Sequence, residues 1–596
     1  MAERPIGSSG SRRSGIALLM VLMIVMTIAV ISVGFIARTD MQLACGANVD
    51  TRTQMDHLAN SGLEHARGLL LHPQDASTPY WQGDDSLQLL AASPDYYDVR
   101  VSRDASDPND YCTYDITCEA YRLRSESGQE KKVGSTRLSA SLRLDPSIGL
   151  WTKTDTIFRQ NWVLHGDACT QGSLVSQAPT ASLDGDVFAT QLTGTSVGQT
   201  RGLIDLASAW GVADLSQKWP PVTAFYINFD YYPPTSIPAT LSGNPGSARV
   251  WRRDGDLVLT GDAVVQGMLL VTGNLTVAGG GSRITAAKNL PALYVGGDLL
   301  LEDADNLRIE GLAVVGGNLR IRSEAEGVEF LGGLCLGGAI AETTSDASGN
   351  GNRGILMKGP RWVTDGSRNA LYFDGTDDYV AVPHHPCLCV TTGVTVMAWI
   401  KTPRYNVPGH NYQGILGKSN DLRSYSLYTM NSGKLHFSTG PYPDYVPSYS
   451  TQTIPLNQWV HVCAMVRDGV HRLFINGAPA GEGGTGVTLP GGADTAPVVI
   501  GKTSQVFREF AGLMDDVRIY NRGLADEEVL AARDGLPVSS GLAGHWELDG
   551  PGSNVTITAD PIKASIADWS QGMPPRYWSP AAGAFFRSIE RQPGSP

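Results

Sequence analysis

The chain has 596 residues, roughly four times the usual single-domain length of about 150, so several domains are expected rather than one core. Charged residues make up 18% and glycines number 68, the profile of a β-rich, turn-dense, extracytoplasmic protein. The balance of 46 Lys+Arg against 59 Asp+Glu gives −13, which disfavours nucleic acid as a partner. The 8 cysteines are too scattered for a disulfide scaffold, and none stands at zinc-site spacing. Cys112 and Cys118 form the best candidate bridge, with eight buried thiols as the alternative.

The first element is an uncharged run over residues 16–37, interrupted only by Thr27 and Ser32 and long enough to cross a hydrocarbon core of about 30 Å. It exceeds the apolar core of a cleaved signal peptide and has no A-x-A site after it, so a retained transmembrane helix is predicted. Arg4, Arg12 and Arg13 precede the span, which places the N-terminus in the cytoplasm and the bulk outside. Met55, Leu58, Ala59, Leu63, Ala66 and Leu70 then recur at helical spacing and extend the helix as an amphipathic stalk to about residue 72. Arg12-Arg13-Ser14-Gly15-Ile16-Ala17-Leu18-Leu19, followed by Ala59-Asn60-Ser61-Gly62-Leu63-Glu64-His65-Ala66, resembles the N-terminus of minor pilins. The nearest types are the K-type tip pseudopilin of type II secretion and the PilX-like pilus assembly proteins.

That resemblance implies a leader over residues 1–15, cut after Gly15 by a prepilin peptidase, with Ile16 as the new, methylated N-terminus. It also implies other pilin or pseudopilin subunits as partners, in the inner membrane of a Gram-negative-type envelope. Met20 stands where major pilins carry a Glu. K-type pseudopilins lack that Glu too, and a subunit at a tip has less need to neutralise a neighbour's buried amine. A signal anchor without a pilus role is the alternative.

Three alternating segments over residues 97–144 predict an antiparallel sheet packed on the stalk, so residues 38–147 form a pilin-like unit. Gly255, Gly261, Gly267, Gly273 and Gly279 then recur every six residues, with apolar residues two and four places after each. Short strands with glycine corners suit a short β-solenoid, placed at 160–342, because each rung must cover the next. A β-sandwich with glycine turns is the alternative.

From Asp346 the texture changes to aromatic-rich strands. Six motifs follow in order: the loop 346–354, Asn369-Ala370-Leu371-Tyr372-Phe373-Asp374-Gly375-Thr376-Asp377-Asp378-Tyr379-Val380, Val396-Met397-Ala398-Trp399, Gln458-Trp459-Val460-His461, Phe474-Ile475-Asn476-Gly477, and Gly512-Leu513-Met514-Asp515-Asp516-Val517. Together they resemble a laminin-G-like, concanavalin A-like jelly roll, placed at residues 343–540. Trp399 and Trp459 are expected in its core, on facing strands. Some jelly rolls of this kind bind calcium, and Asp374, Asp515 and Asp516 are the candidate Ca²⁺ ligands, with structural hydrogen bonding as the alternative.

Glu547-Leu548-Asp549 begins a glycosidase-like acid pattern, but no second Glu follows, and no GxSxG, HExxH or Walker motif occurs. The chain is therefore not expected to be an enzyme. Residues 541–596 are strand-like and aromatic and are expected to return to the solenoid, which makes the jelly roll an insertion. The fold class is mainly β and multidomain: pilin-like helix with a small sheet, β-solenoid, inserted jelly roll. The expected function is a non-catalytic minor pseudopilin or pilus-tip-like subunit displaying a lectin-like domain for a carbohydrate or surface-protein ligand. A membrane-anchored adhesion protein is the alternative.

Overall fold

A computed structural model describes residues 13–592 apart from 79–80, 127, 160, 178–180, 195–199, 204–218, 221–233, 323–324, 407–408, 420–421, 442–443, 504–508, 551–554, 569–575 and 582. Most of the leader, residues 1–12, lies outside the described residues. The protein is mainly β, with one long N-terminal helix, a parallel β-solenoid and a jelly-roll sandwich.

The helix Arg13–Leu71 runs unbroken for 59 residues, about 90 Å at about 1.5 Å per residue. Its first half leaves its apolar side chains exposed and is long and apolar enough to cross a membrane. Gly15 and Ile16 lie within its first turn. Its second half buries Met55, Leu58, Ala59, Leu63, Ala66 and Leu70 against a four-stranded antiparallel sheet, in the order Asp95–Arg103, Thr113–Glu126, Gln129–Leu144, Ala584–Gln592. Gly62 permits the contact, since a Cβ there would lie 2.3 Å from Cys118 Sγ. At the sheet's rim Arg122 holds both oxygens of Asp95, at 2.6 and 2.8 Å, and reaches Gln54 of the helix at 2.7 Å.

The bridge between Cys112 and Cys118 is not formed, and both are buried free thiols. An extended chain of six residues spans about 20 Å, whereas a disulfide needs Cα atoms within about 7 Å.

The six-residue glycine period is one side of a three-sided coil. Leu257 pairs with Leu275, Leu275 with Leu299, Leu299 with Leu319, and Leu319 with Ile340, all in parallel. All five are buried in one core, so each rung is roofed by the next. Parallel pairing starts before residue 160: Ile148–Thr152 lies between Asp167–Thr170 and Val328–Leu336. The stack therefore departs from chain order, with a late rung seated on the first.

The sandwich has two sheets. The first contains Gly354–Met357, Tyr379–Val382, Val498–Ile500, Tyr412–Lys418, Tyr425–Met430, Lys434–Thr439 and Val446–Thr453. The second contains Arg361–Asp365, Arg368–Asp374, Ala511–Tyr520, Val394–Lys401, Val460–Arg467, Val470–Ile475 and Ala478–Gly483. Asn476 and Gly477 make a tight hairpin with φ of 51° and 78°, as the Asn-Gly pair predicts. The first sheet continues the solenoid ladder: Thr343 pairs with Ile355 and Thr344 with Gly354.

Leu542–Trp546 pairs with Ala511–Tyr520 and buries Trp546 in the sandwich core. The return segment therefore starts later than residue 541. Val555–Ala559 inserts in parallel between Val328–Leu336 and Trp162–His165, and Ala584–Gln592 joins the stalk sheet.

Candidate ligand-binding face

Strand alternation sorts the side chains of the first sheet. Leu427, Leu435 and Phe437 enter the core, so Tyr428 and His436 face the other way. Register places Tyr428 opposite His436 and His436 opposite Tyr449. The rings form a continuous row: Tyr412 to Tyr428 at 5.8 Å, Tyr428 to His436 at 5.2 Å and 26°, His436 to Tyr449 at 5.0 Å. Tyr428 and His436 are buried, Tyr412 is half-buried and Tyr449 is 44% exposed, so the row meets solvent at its two ends.

Beside that row, Ser426 pairs with Ser438 and with Gly417. Gly417 carries no side chain, and both serines are buried. Arg423, held in the left-handed region at φ 43°, donates to Ser438 Oγ at 3.4 Å, and its guanidinium lies 4.9 Å from the Tyr445 ring centre. Among the described residues, Ser426 Oγ and Arg423 Nε are buried without a hydrogen-bond partner, an arrangement that costs about 1–3 kcal/mol for each such group. Aromatic rings that reach solvent are what a ligand with an apolar ring frame would match.

The other outer face also carries aromatics, and here the structure corrects the sequence. Trp399 and Trp459 are outside the core and on one side of the sandwich: Ala398 and Ile400 point inward, so Trp399 between them points out. Arg368 lies over both indoles, at 4.6 and 5.1 Å. Trp459 Nε1 donates to Asp365 at 2.8 Å, and Lys401 reaches the same oxygen at 2.7 Å. One face of each ring is thus taken by Arg368.

Asp374 meets Asp377 and Asp378, with one carboxylate oxygen from each within 4.8 Å of the others. Asp378 is buried and accepts the Asp374 N–H at 2.9 Å. Burial pushes its carboxyl up to about 6. These acids line a cavity of about 620 Å³ against the solenoid, with Lys358, Arg361 and Gln177. Asp515 and Asp516 do not join them. Burial pushes Asp515 up to about 6, and it pairs with Arg368. Asp516 is half-buried, and His545 at 2.8 Å and Arg518 at 2.7 Å hold it below the usual carboxylate range. The cluster Asp145, Asp167 and Asp186 in the solenoid is equally close. There Asp167 accepts the backbone N–H groups of Ser147 and Asp186, at 2.7 and 2.8 Å.

Sequence reasoning missed the ring row. Tyr425-Ser426-Leu427-Tyr428 and Leu435-His436-Phe437-Ser438 alternate legibly, but what aligns Tyr428, His436 and Tyr449 is the register across three strands.

Residues 374–530 match the family described as the concanavalin A-like lectin/glucanases superfamily. A curated relative, adhesion G-protein coupled receptor V1 of Danio rerio, is 28% identical over 174 residues, which are 27% of this chain. The match spans 3% of that receptor's length. Among solved structures, domain 4 of AbnA, an extracellular arabinanase from Geobacillus stearothermophilus in complex with arabinotriose, is 19% identical. It covers 32% of this chain and 98% of that one at a TM-score of 0.27. A heptameric SAP-like pentraxin from Limulus polyphemus is 17% identical and covers 38% of this chain and 96% of that one, at a TM-score of 0.24.

Proposed function

We propose that this chain is a non-catalytic, membrane-anchored display protein whose lectin-like sandwich binds a carbohydrate along the Tyr412–Tyr428–His436–Tyr449 face. The observation that carries the reading is the ring row that meets solvent at Tyr412 and Tyr449. Sugar rings stack on such faces where the row meets solvent, at Tyr412 and Tyr449. Asp374, Asp377 and Asp378 are the residues that would hold a Ca²⁺ ion, a hard cation that takes carboxylate oxygens. That ion would brace the 374–378 turn. Asp515 and Asp516, with their own partners, are left out.

The full chain in detergent, screened on a glycan panel with and without Ca²⁺, tests this. Tyr449→Ala and Tyr412→Ala are expected to weaken binding about tenfold or more, the order of about 1.4 kcal/mol, with the thermal midpoint unchanged. Binding that ignores both substitutions sinks the assignment of this face.

A pseudopilin or pilus-tip role is the finer reading. It is supported by the Gly15-Ile16 motif and by a helix whose first half is bare and whose second half packs on an antiparallel sheet. Prepilin peptidase and other pilin subunits would then be its partners at the inner membrane, with the bulk periplasmic or at the cell surface. Intact-mass analysis decides it: a chain starting at methylated Ile16 supports the role, and an uncleaved start leaves an anchored lectin.

A further inference from the structure

Strand parity sends Lys418 inward. Leu416, two residues before it, and its cross-strand partners Tyr425 and Val498 all belong to the sandwich core, and the Lys418 side chain is 0% exposed. Its counter-ion, Asp494, lies just before the strand Val498–Ile500 and is buried to the same degree. Lys418 Nζ and Asp494 Oδ1 are 4.0 Å apart, well beyond the span of about 2.7–2.9 Å of a charge-assisted hydrogen bond. Two buried charges that do not touch recover little of what their desolvation costs.

The groups around the pair are those an acyl transfer needs. Asp494 Oδ2 accepts the Ser424 hydroxyl at 2.6 Å and the Ser424 N–H at 3.1 Å, while Oδ1 accepts the Ala496 N–H at 2.9 Å. Lys418 Nζ donates to the Ala496 carbonyl and to His384 Nδ1, the latter at 3.2 Å. Those two acceptors take up two of the three ammonium protons. The third is free to pass to Asp494, and its loss leaves the nitrogen lone pair on the carboxyl side. Burial pushes the ammonium down and so favours the neutral amine.

We propose that Lys418 Nζ and Asp494 Cγ condense into an isopeptide bond inside the sandwich. Once the proton has passed to Oδ1, Nζ attacks Cγ, and the two Ser424 donors hold the negative charge that gathers on Oδ2. The Nζ–Cγ bond forms and the Cγ–Oδ1 bond breaks. Nitrogen gives up two protons in all, and both depart with Oδ1 as one water, so the step needs no oxidant or co-reactant. The product is neutral where the reactants buried two charges. It also closes a covalent ring from residue 418 to residue 494, which takes in every strand from Tyr425–Met430 to Ala478–Gly483.

The test uses the full chain in detergent, kept folded for several days at neutral pH, then denatured, reduced, alkylated and digested with trypsin for mass spectrometry. The expected result is one species in which the tryptic peptides 405–423 and 473–502 are joined, lighter than their sum by one water, with the chain uncut at Lys418. The same digest of Lys418→Arg is expected to give no joined species, and Ser424→Ala to form it about tenfold more slowly or worse, through loss of a donor to Oδ2. Two free peptides from the parent overturn the bond. So does a water lost from 473–502 alone, which marks a succinimide at Asp494-Thr495 instead. The parent chain decides between these outcomes by itself, so a variant that fails to fold does not weaken the test.

Discussion

His471 ties the two sheets of the sandwich together through hydroxyls: one ring nitrogen meets Thr439 Oγ at 3.0 Å and the other meets Ser448 Oγ at 3.0 Å. Burial holds its imidazole down to about 4, as it does for His461. A histidine depressed on folding stabilises fully above its unfolded value of about 6.5 and loses that contribution as pH falls toward about 4. The advantage of the parent chain over His471→Gln is therefore expected to be constant above pH 6.5. Below it the advantage shrinks with a slope of up to about 1.4 kcal/mol per pH unit, read as urea midpoints of the sandwich transition. Buried Asp167 runs the other way: burial raises its carboxyl to about 6, so its contribution is complete below about 3.8 and lost as pH rises through about 6. At this scale the sequence was legible where parity was respected. Trp399 lies outside the core because its neighbours Ala398 and Ile400 occupy the core parity, and a strand cannot send three successive residues to one side.

Among the elements, the solenoid was the most readable, since its six-residue period is the direct imprint of its sides. The length of a full coil was hidden, because three such sides must close before Arg249 meets Gly267 in the next rung. Gly267 lies at φ 104°, and a Cβ there would be 2.1 Å from the Arg249 carbonyl oxygen, whereas Gly255, at φ 96°, has open space around it. Gly267→Ala is expected to cost about 2–4 kcal/mol, from backbone strain plus a clash with the rung beneath, and Gly255→Ala about 1 kcal/mol from strain alone. Thermal unfolding of the two variants separates these causes, and equal losses would show that rung contact plays no part. The ligand face was less legible than the rungs for a related reason. Alternation along each strand is written in the sequence, but the row Tyr428, His436, Tyr449 depends on register shifts such as the one between Lys434 and His436, which no local pattern announces.

Across the whole molecule, the last fifty residues join units that the chain built earlier. Val555–Ala559 completes the solenoid between two of its strands, and Ala584–Gln592 closes the stalk sheet, where Arg591 reaches Asp56 of the helix at 2.7 Å. Truncation after Asp549 is expected to leave the sandwich protease-resistant while the stalk and the first rungs become cleavable. Limited proteolysis with mass mapping checks this, and an unchanged pattern would mean these strands are dispensable. The joint between solenoid and sandwich has a mechanical consequence of its own. The chain passes into the head by way of Thr343 and Ile355, which pair across one ladder. It leaves through His545, whose backbone N–H donates to Asp346 Oδ1 at 2.9 Å, while its carbonyl accepts from Ala347 N at 2.8 Å. Both ends of the head are thus clipped at one corner. A pull from the anchor moves those ends together, so tension cannot unravel the head lengthwise, and a tethered load hangs from the sheet rather than from a thread.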